Sequence, residues 1–337
     1  MSNAGSWSIG FGRGYEPLWQ KAGDMEFSGN ETASPTASVP GDTTSGVLLA
    51  FLSYVAYSVS DASVKLLAGA IPPFELVFLG AVLGLLAVPL VKRPEERWSD
   101  LLRCRSRLVW CLRAVAAVAG SVFSVIAFTR LSMAEAMALL FLMPAFVTIL
   151  SVLFLKEPVG WRRWMAVLVG FIGVLIVLRP GIQPLGFGHL AAVLGAFASA
   201  VTIVMLRALG PTEKRISLYG AGLIGPIGAS FVIASPHLVM PTPHQWLFVL
   251  GYGLLAACGG VLLMFASERA PASQVAPPQY SQMLWAIAFD ALLFGIGIDI
   301  PMVLGSMVII GAGLFTFQRE KIRKPRWWNR HPLIHPQ

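Results

Sequence analysis

Charged residues are scarce in this chain, 12% of 337 against about a quarter in an ordinary soluble domain, while 56% are hydrophobic. So little polar surface cannot coat a water-soluble globule of this length. Cysteine is nearly absent as well. Cys104, Cys111 and Cys258 show neither metal-ligand spacing nor a secreted disulfide framework, and they read as packing residues. The first 45 residues lack an apolar core of the signal-peptide kind and are rich in Gly, Ser, Thr and Pro. They read as a disordered cytoplasmic tail, so the first helix must direct insertion. Met25 offers an alternative native start, with the opening SNAGS stretch an added leader.

Catalytic signatures are missing too. His189, His237, His244, His331 and His335 all fall in loops, tails or at a helix edge, which leaves no core Ser-His pair and no metal cluster. There is no zinc-binding HExxH, no phosphate-cradling GxxxxGK[ST] and no nucleophile elbow. These absences argue against an ATP-driven pump and a polytopic enzyme, and no cofactor or metal is expected. No filter-like re-entrant repeat suggests a channel. Strands that cross a bilayer need only about ten alternating residues. The chain has instead continuous apolar runs of a length that spans about 30 Å of hydrocarbon as helix.

Cutting at charge clusters and Gly/Pro breaks gives ten runs: 46–69, 74–91, 108–129, 133–155, 161–178, 186–206, 216–235, 246–267, 274–295 and 301–318. The fold class expected is therefore all-α, a polytopic membrane protein of ten transmembrane helices. The formal charge of +8 would suggest nucleic acid in a soluble protein, but here the basic residues crowd short loops beside spans, so no nucleic-acid partner is expected. Across alternate loops, 21 of the 25 Lys and Arg fall on one side, and only Arg130 and Arg179 on the other. Lys65 and Arg113 lie within spans. Both termini are thus expected in the cytoplasm, with the chain in a bacterial inner membrane.

Sliding the chain on itself sets RAPASQVAPPQ, from Arg269, over RLSMAEAMALL, from Arg130, an offset of 139 residues. The same offset puts Gly305 over Ala166, and the sixth span over the first. Two five-helix halves result, 46–180 and 181–318, between the tail 1–45 and a basic cytoplasmic tail at 319–337. Five being odd, the second half enters the membrane from the opposite side. Inverted repeats give a bundle two near-equivalent packings whose exchange exposes a midplane site to alternate sides. That is the physical argument for a transporter.

The stretch MPAFVTILSVLFLKEPVGWRRWMAVLVGFIGVLIVLRPG, with Pro144, Glu157, Trp164, Gly170 and Gly173, resembles the end of the first EamA-type repeat in the drug/metabolite transporter superfamily. SDASVKLLAGAIPPFELVF, WRRWMAVLVGFIG and SQVAPPQYSQMLWA are similar to the branch that includes S-adenosylmethionine uptake carriers. The resemblance implies ten helices, cytoplasmic termini and a cavity between the halves. Two positions depart from it. Gly80 stands where many members carry an arginine, and Ile296 where the second repeat usually has an acid, whereas Asp299 matches.

An ionisable group within a span costs roughly 3 kcal/mol unless paired or wetted, so each needs a reason. Asp61 and Lys65 lie one helical turn apart. Either they neutralise each other, with Lys65 snorkelling, or Asp61 is a cavity carboxylate for a cationic group or a proton. Tyr54, Tyr57 and Ser58 lie on the preceding turns and offer hydrogen bonds and aromatic faces. Arg113 reads as snorkelling to phosphates, Glu135 as a partner for Arg130, and Glu157 as a loop cap. The ninth span joins a Pro277-Pro278 break to Gln279, Tyr280, Gln282 and Trp285, ahead of Asp290. Prolines free carbonyls that only protein or a wet cavity can satisfy. Its repeat counterpart holds Met137, Phe141 and Pro144, so the fourth and ninth helices are expected to wall the cavity. The solute expected is a small metabolite, amino-acid-like or S-adenosylmethionine-like. A multidrug or cation exporter of the same fold is the alternative. Coupling to a proton or ion, direction of flux and oligomeric state are open at this level.

Overall fold

The structure, a computed structural model, describes residues 40–92, 95–101, 107–156, 159–181, 184–209 and 215–320. Glu157, Cys104, His331, His335, residues 1–39 and the basic stretch from 321 onward fall outside these. Lipid offers no hydrogen-bond partners, so the apolar runs cross it as helices whose amides bond internally. The first half consists of α1 (Pro40–Leu66), α2 (Pro73–Gly84) continued through a 3-10 turn into α3 (Val88–Val91), α4 (Arg107–Arg130), α5 (Met133–Leu140), α6 (Met143–Phe154) and α7 (Trp161–Leu178). The second half comprises α8 (Phe187–Leu209), α9 (Arg215–Ala234), α10 (Pro243–Arg269), α11 (Ala272–Val275), a 3-10 turn at Pro277–Tyr280, α12 (Ser281–Leu292) and α13 (Ile300–Glu320). Eight helices are long and apolar enough to cross a membrane, and Ile300–Phe315 is a shorter apolar one. The ninth expected span is the interrupted segment 272–292. Residues 40–45, expected to be tail, belong to α1.

Phe154, Val232, Met240, Leu292 and Ile300 all stand exposed on the exterior, as a lipid solvent requires. Inside, the helices pair as the 139-residue offset demands. α1 packs along α10 and α4 along α8, and these two contacts are each other's repeat equivalents. The fifth and tenth spans, α7 and α13, meet each other. A Cβ on Gly173 would come within 2.8 Å of Ile309, and one on Gly305 within 2.6 Å of Val177. The close approach of small residues gives these helices the packing that hydrophobicity cannot supply in lipid.

Several polar contacts tie the halves together at the end of the bundle where α1, α4 and α7 finish. The buried carboxylate of Asp290, on α12, accepts from the backbone N–H groups of Met133 at 2.9 Å and Ala134 at 2.8 Å, the first residues of α5. Such a helix start has free amides and a positive dipole end, which suit an anion. Nearby, Arg179 pairs with Asp299, Glu75 accepts from the Val239 N–H at 3.0 Å, and the Lys65 ammonium lies 5.1 Å from the centre of the Phe294 ring.

Two sequence expectations change here. Lys65 does not pair with Asp61: its ammonium donates to the Leu131 carbonyl, left free where α4 ends. Arg113 does not snorkel: it is 6% exposed, turned into the bundle by the packing of α4 on α9. Glu135 closes a capping box with Ser132, while Arg130 lies over the Phe187 ring at 5.5 Å. Replacing Asp290 by Ala strands two buried amides and should lower stability by about 3 kcal/mol. Denaturant titration of the purified protein in detergent checks this. Asp290→Asn, which retains one acceptor oxygen, should recover only part of the loss.

Candidate functional site

The fourth and ninth spans break at corresponding places. Helix α5 stops at Leu140 and α6 restarts at Met143, with Pro144 in its first turn. In the ninth span, Pro277 and Pro278 lack the amides that would continue α11, and a 3-10 turn carries the chain to Tyr280 and α12. Phe141 and Tyr280, equivalent under the repeat offset, stack with ring centres 5.3 Å apart and planes at 13°. Tyr280 can lie there because residue 313 is glycine: a Cβ would fall 1.9 Å from the phenol carbon and oxygen.

A cavity of about 360 Å³ opens beside this stack, lined by Phe141, Pro144, Thr148, Gly170, Gln279 and Tyr280 among others. At its edge Arg163 Nε donates to Thr148 Oγ1 at 3.0 Å. A second cavity, about 450 Å³, holds Asp61 opposite Ser121, Ser124, Ser199, Thr202 and Tyr252. Asp61 makes no hydrogen bond or ion pair with any described residue. A carboxylate so placed in a membrane interior needs a proton, water or a cation from the cavity. A third cavity, about 180 Å³, shares Ser121, Gly222 and Tyr252 with the second.

Of the residues expected from sequence, Asp61 lines the second cavity, and Phe141, Gln279 and Tyr280 the first. The others are placed differently. Ser58 is buried and donates to the Tyr54 carbonyl of its own helix at 2.9 Å. Tyr54 packs with Ala50, Ala266 and Val275, and the Tyr57 ring lies against Gly259. Met137 belongs to the main apolar core. Gln282 is half-buried, and Trp285 stacks on Phe289 with centres 6.0 Å apart. None of these six lines the three cavities. No three metal-binding side chains come together among the described residues.

Sequence reasoning passed over Tyr252 and misread Arg113. The signal was available, because the offset of 139 places Tyr252 directly over Arg113. Each lies against a glycine on the second helix of the other half. The Tyr252 ring fills the space a Cβ on Gly80 would need, 2.3 Å from its Cε1, and Arg113 Nη2 lies 3.7 Å from a Cβ placed on Gly222. Gly80 is thus the space for a tyrosine from the other half.

The profile of the EamA-like transporter family matches this chain twice, over residues 44–179 and 186–318. The chain belongs to that family. It is an EamA-like membrane transporter. Similar proteins include the S-adenosylmethionine uptake transporter of Rickettsia felis, 26% identical over 80% of this chain and 91% of its own. The riboflavin transporter of Vibrio cholerae is 31% identical over 57% of this chain and 65% of its own. A solved crystal structure superposes with a TM-score of 0.59 at 18% identity, covering 83% of this chain and 99% of the other, a likeness of fold.

In this EamA-like transporter the Phe141–Tyr280–Gly313 contact is testable by a double-variant cycle. Gly313→Ala alone should reduce thermal stability and flux by forcing the phenol off Phe141. In a Tyr280→Ala background the same change should cost nothing further in melting temperature. Equal losses in both backgrounds would contradict the contact.

Proposed function

We propose that this EamA-like transporter is a secondary carrier that moves a small metabolite across the bacterial inner membrane by alternating access, and that its solute is amino-acid-like or S-adenosylmethionine-like. The observation that carries the reading is the unpartnered carboxylate of Asp61 in a cavity walled by hydroxyls. Such a carboxylate suits an ammonium or sulfonium group. The Phe141–Tyr280 pair, at the meeting point of the two broken helices, supplies a flat aromatic face of the kind that stacks on an adenine or aromatic ring. The name of the rickettsial relative favours the sulfonium solute. The Vibrio relative's name suggests riboflavin, for which a stacking face fits equally and a lone carboxylate less well.

The bias of Lys and Arg to one set of loops supports cytoplasmic termini. On that orientation the end of the bundle that holds these contacts faces outward. The ties of Asp290, Glu75 and Arg179 then hold the outer side closed, and their release is the opening step. A coupling proton carried by Asp61 is compatible with this arrangement, as is simple exchange.

Counterflow in sealed vesicles tests the proposal. Labelled S-adenosylmethionine should exchange saturably against its unlabelled form, and riboflavin or a cationic dye should compete poorly. Asp61→Asn and Tyr280→Ala should each lower that flux about tenfold or more at unchanged expression, a loss on the scale of one charge-assisted contact. Undiminished flux in both variants would remove these residues from the site. Saturable counterflow of riboflavin alone would replace the solute.

A further inference from the structure

Arg113 is the buried charge that the proposed role of Asp61 leaves unexplained. It lies about one turn into the span Trp110–Arg130 of α4. Its exposure is 6%, and neither its Nε nor its Nη1 has a hydrogen-bond partner among the described residues. One turn earlier, the indole N–H of Trp110 is also buried without an acceptor. Buried donors almost always have partners, and a buried guanidinium with none leaves both charge and geometry uncompensated. Asp61 is not its counter-ion. α1 and α4 run in the same direction, and Asp61 lies near the finish of α1 whereas Arg113 lies near the start of α4.

The remaining nitrogen of the guanidinium, Nη2, faces Gly222, and Gly222 borders both the 450 Å³ and the 180 Å³ cavities. Ala116 and Ala117, three and four residues beyond Arg113 on the same helix, also line the larger one. Arg113 itself lines neither cavity; it lies behind Gly222, which has no side chain to fill the space between them. Arginine matches a carboxylate with two parallel hydrogen bonds in a plane.

Resting on the reading of the chain as a carrier of an amino-acid-like or S-adenosylmethionine-like solute, we propose that Arg113 binds the solute's carboxylate. It forms an anion site behind Gly222, where the two cavities share a wall, at a different depth from the cation site at Asp61. Gly222 keeps the approach to it open. The repeat equivalent of Arg113 is Tyr252, which has no fixed charge, so the anion site exists in one half alone.

The test uses the purified full chain in detergent, with S-adenosylmethionine, its decarboxylated analogue, benzoate and benzamide as probes and binding read by calorimetry and thermal shift. The wild type should bind S-adenosylmethionine about ten to a hundred times more tightly than the decarboxylated analogue, the range of one charge-assisted pair. Benzoate should stabilise it where benzamide does not. Arg113→Gln should abolish both preferences while leaving the affinity for the decarboxylated analogue unchanged. That unchanged affinity shows the variant to be folded. Gly222→Ala retains the charge but puts a methyl group before it, and should weaken S-adenosylmethionine binding in the same sense by a smaller factor.

If neither sulfonium compound binds but benzoate still stabilises through Arg113, the anion site stands and the proposed solute falls. Carboxylate preferences that survive in Arg113→Gln would overturn the inference. So would stabilisation that depends on Arg113 and is produced by phosphatidylglycerol but not by benzoate, since that is the behaviour of a lipid-phosphate site.

Discussion

In hydrocarbon a broken helix is expensive unless each freed amide and carbonyl finds a partner within the protein. The whole arrangement of this bundle depends on how that demand is met at the two interrupted spans. Asp290 of the ninth span satisfies the exposed start of the fourth. The aromatic residues at the two interruptions, Phe141 and Tyr280, then stack on one another. One carboxylate therefore does two jobs: it closes the amide account of α5 and it fixes the position of the second half against the first. The stack, the cavity beside it and the close seating of Tyr280 on Gly313 all follow from that register.

The same demand explains why charged residues within the spans separate into two kinds. Lys65, Asp290 and Glu135 each meet a helix terminus, where the backbone has an unused carbonyl or amide. Their charges are absorbed by structure. Asp61 and Arg113 lie inside their helices, where the backbone has nothing to give; Asp61 lines a cavity, and Arg113 lies against Gly222, which lines the same one. Contact with a helix terminus thus separates the charges that the backbone absorbs from those that it does not.

Much of this was legible in the sequence. Apolar run lengths located the spans, because the thickness of hydrocarbon sets the length directly, and the 139-residue offset matched Phe141 to Tyr280. The Pro277-Pro278 pair marked the break it makes. What the sequence could not reveal was the choice of partner. One-turn spacing made an Asp61–Lys65 pair feasible, yet the carbonyl of Leu131, 66 residues away, took the lysine. Asp290 is 157 residues from Met133, a distance at which hydropathy carries no information. Arg113 looked like a residue reaching for the interface because its depth allowed it. Its actual direction is set by α9, and it surfaces in the sequence only when the offset is read residue by residue onto Tyr252.

That correspondence has a consequence for how such a protein distributes itself between states. A bundle of two identical inverted halves has two arrangements that a two-fold rotation interconverts and that are equal in energy, and an empty carrier exchanging them would divide its time evenly. Here one half presents a guanidinium to Gly222 and the other presents a phenol to Gly80. The two arrangements cannot be degenerate. For any carrier that works by such an exchange, the difference between desolvating arginine in one state and tyrosine in the other contributes to a resting side, so divergence between the halves gives the bundle an intrinsic polarity.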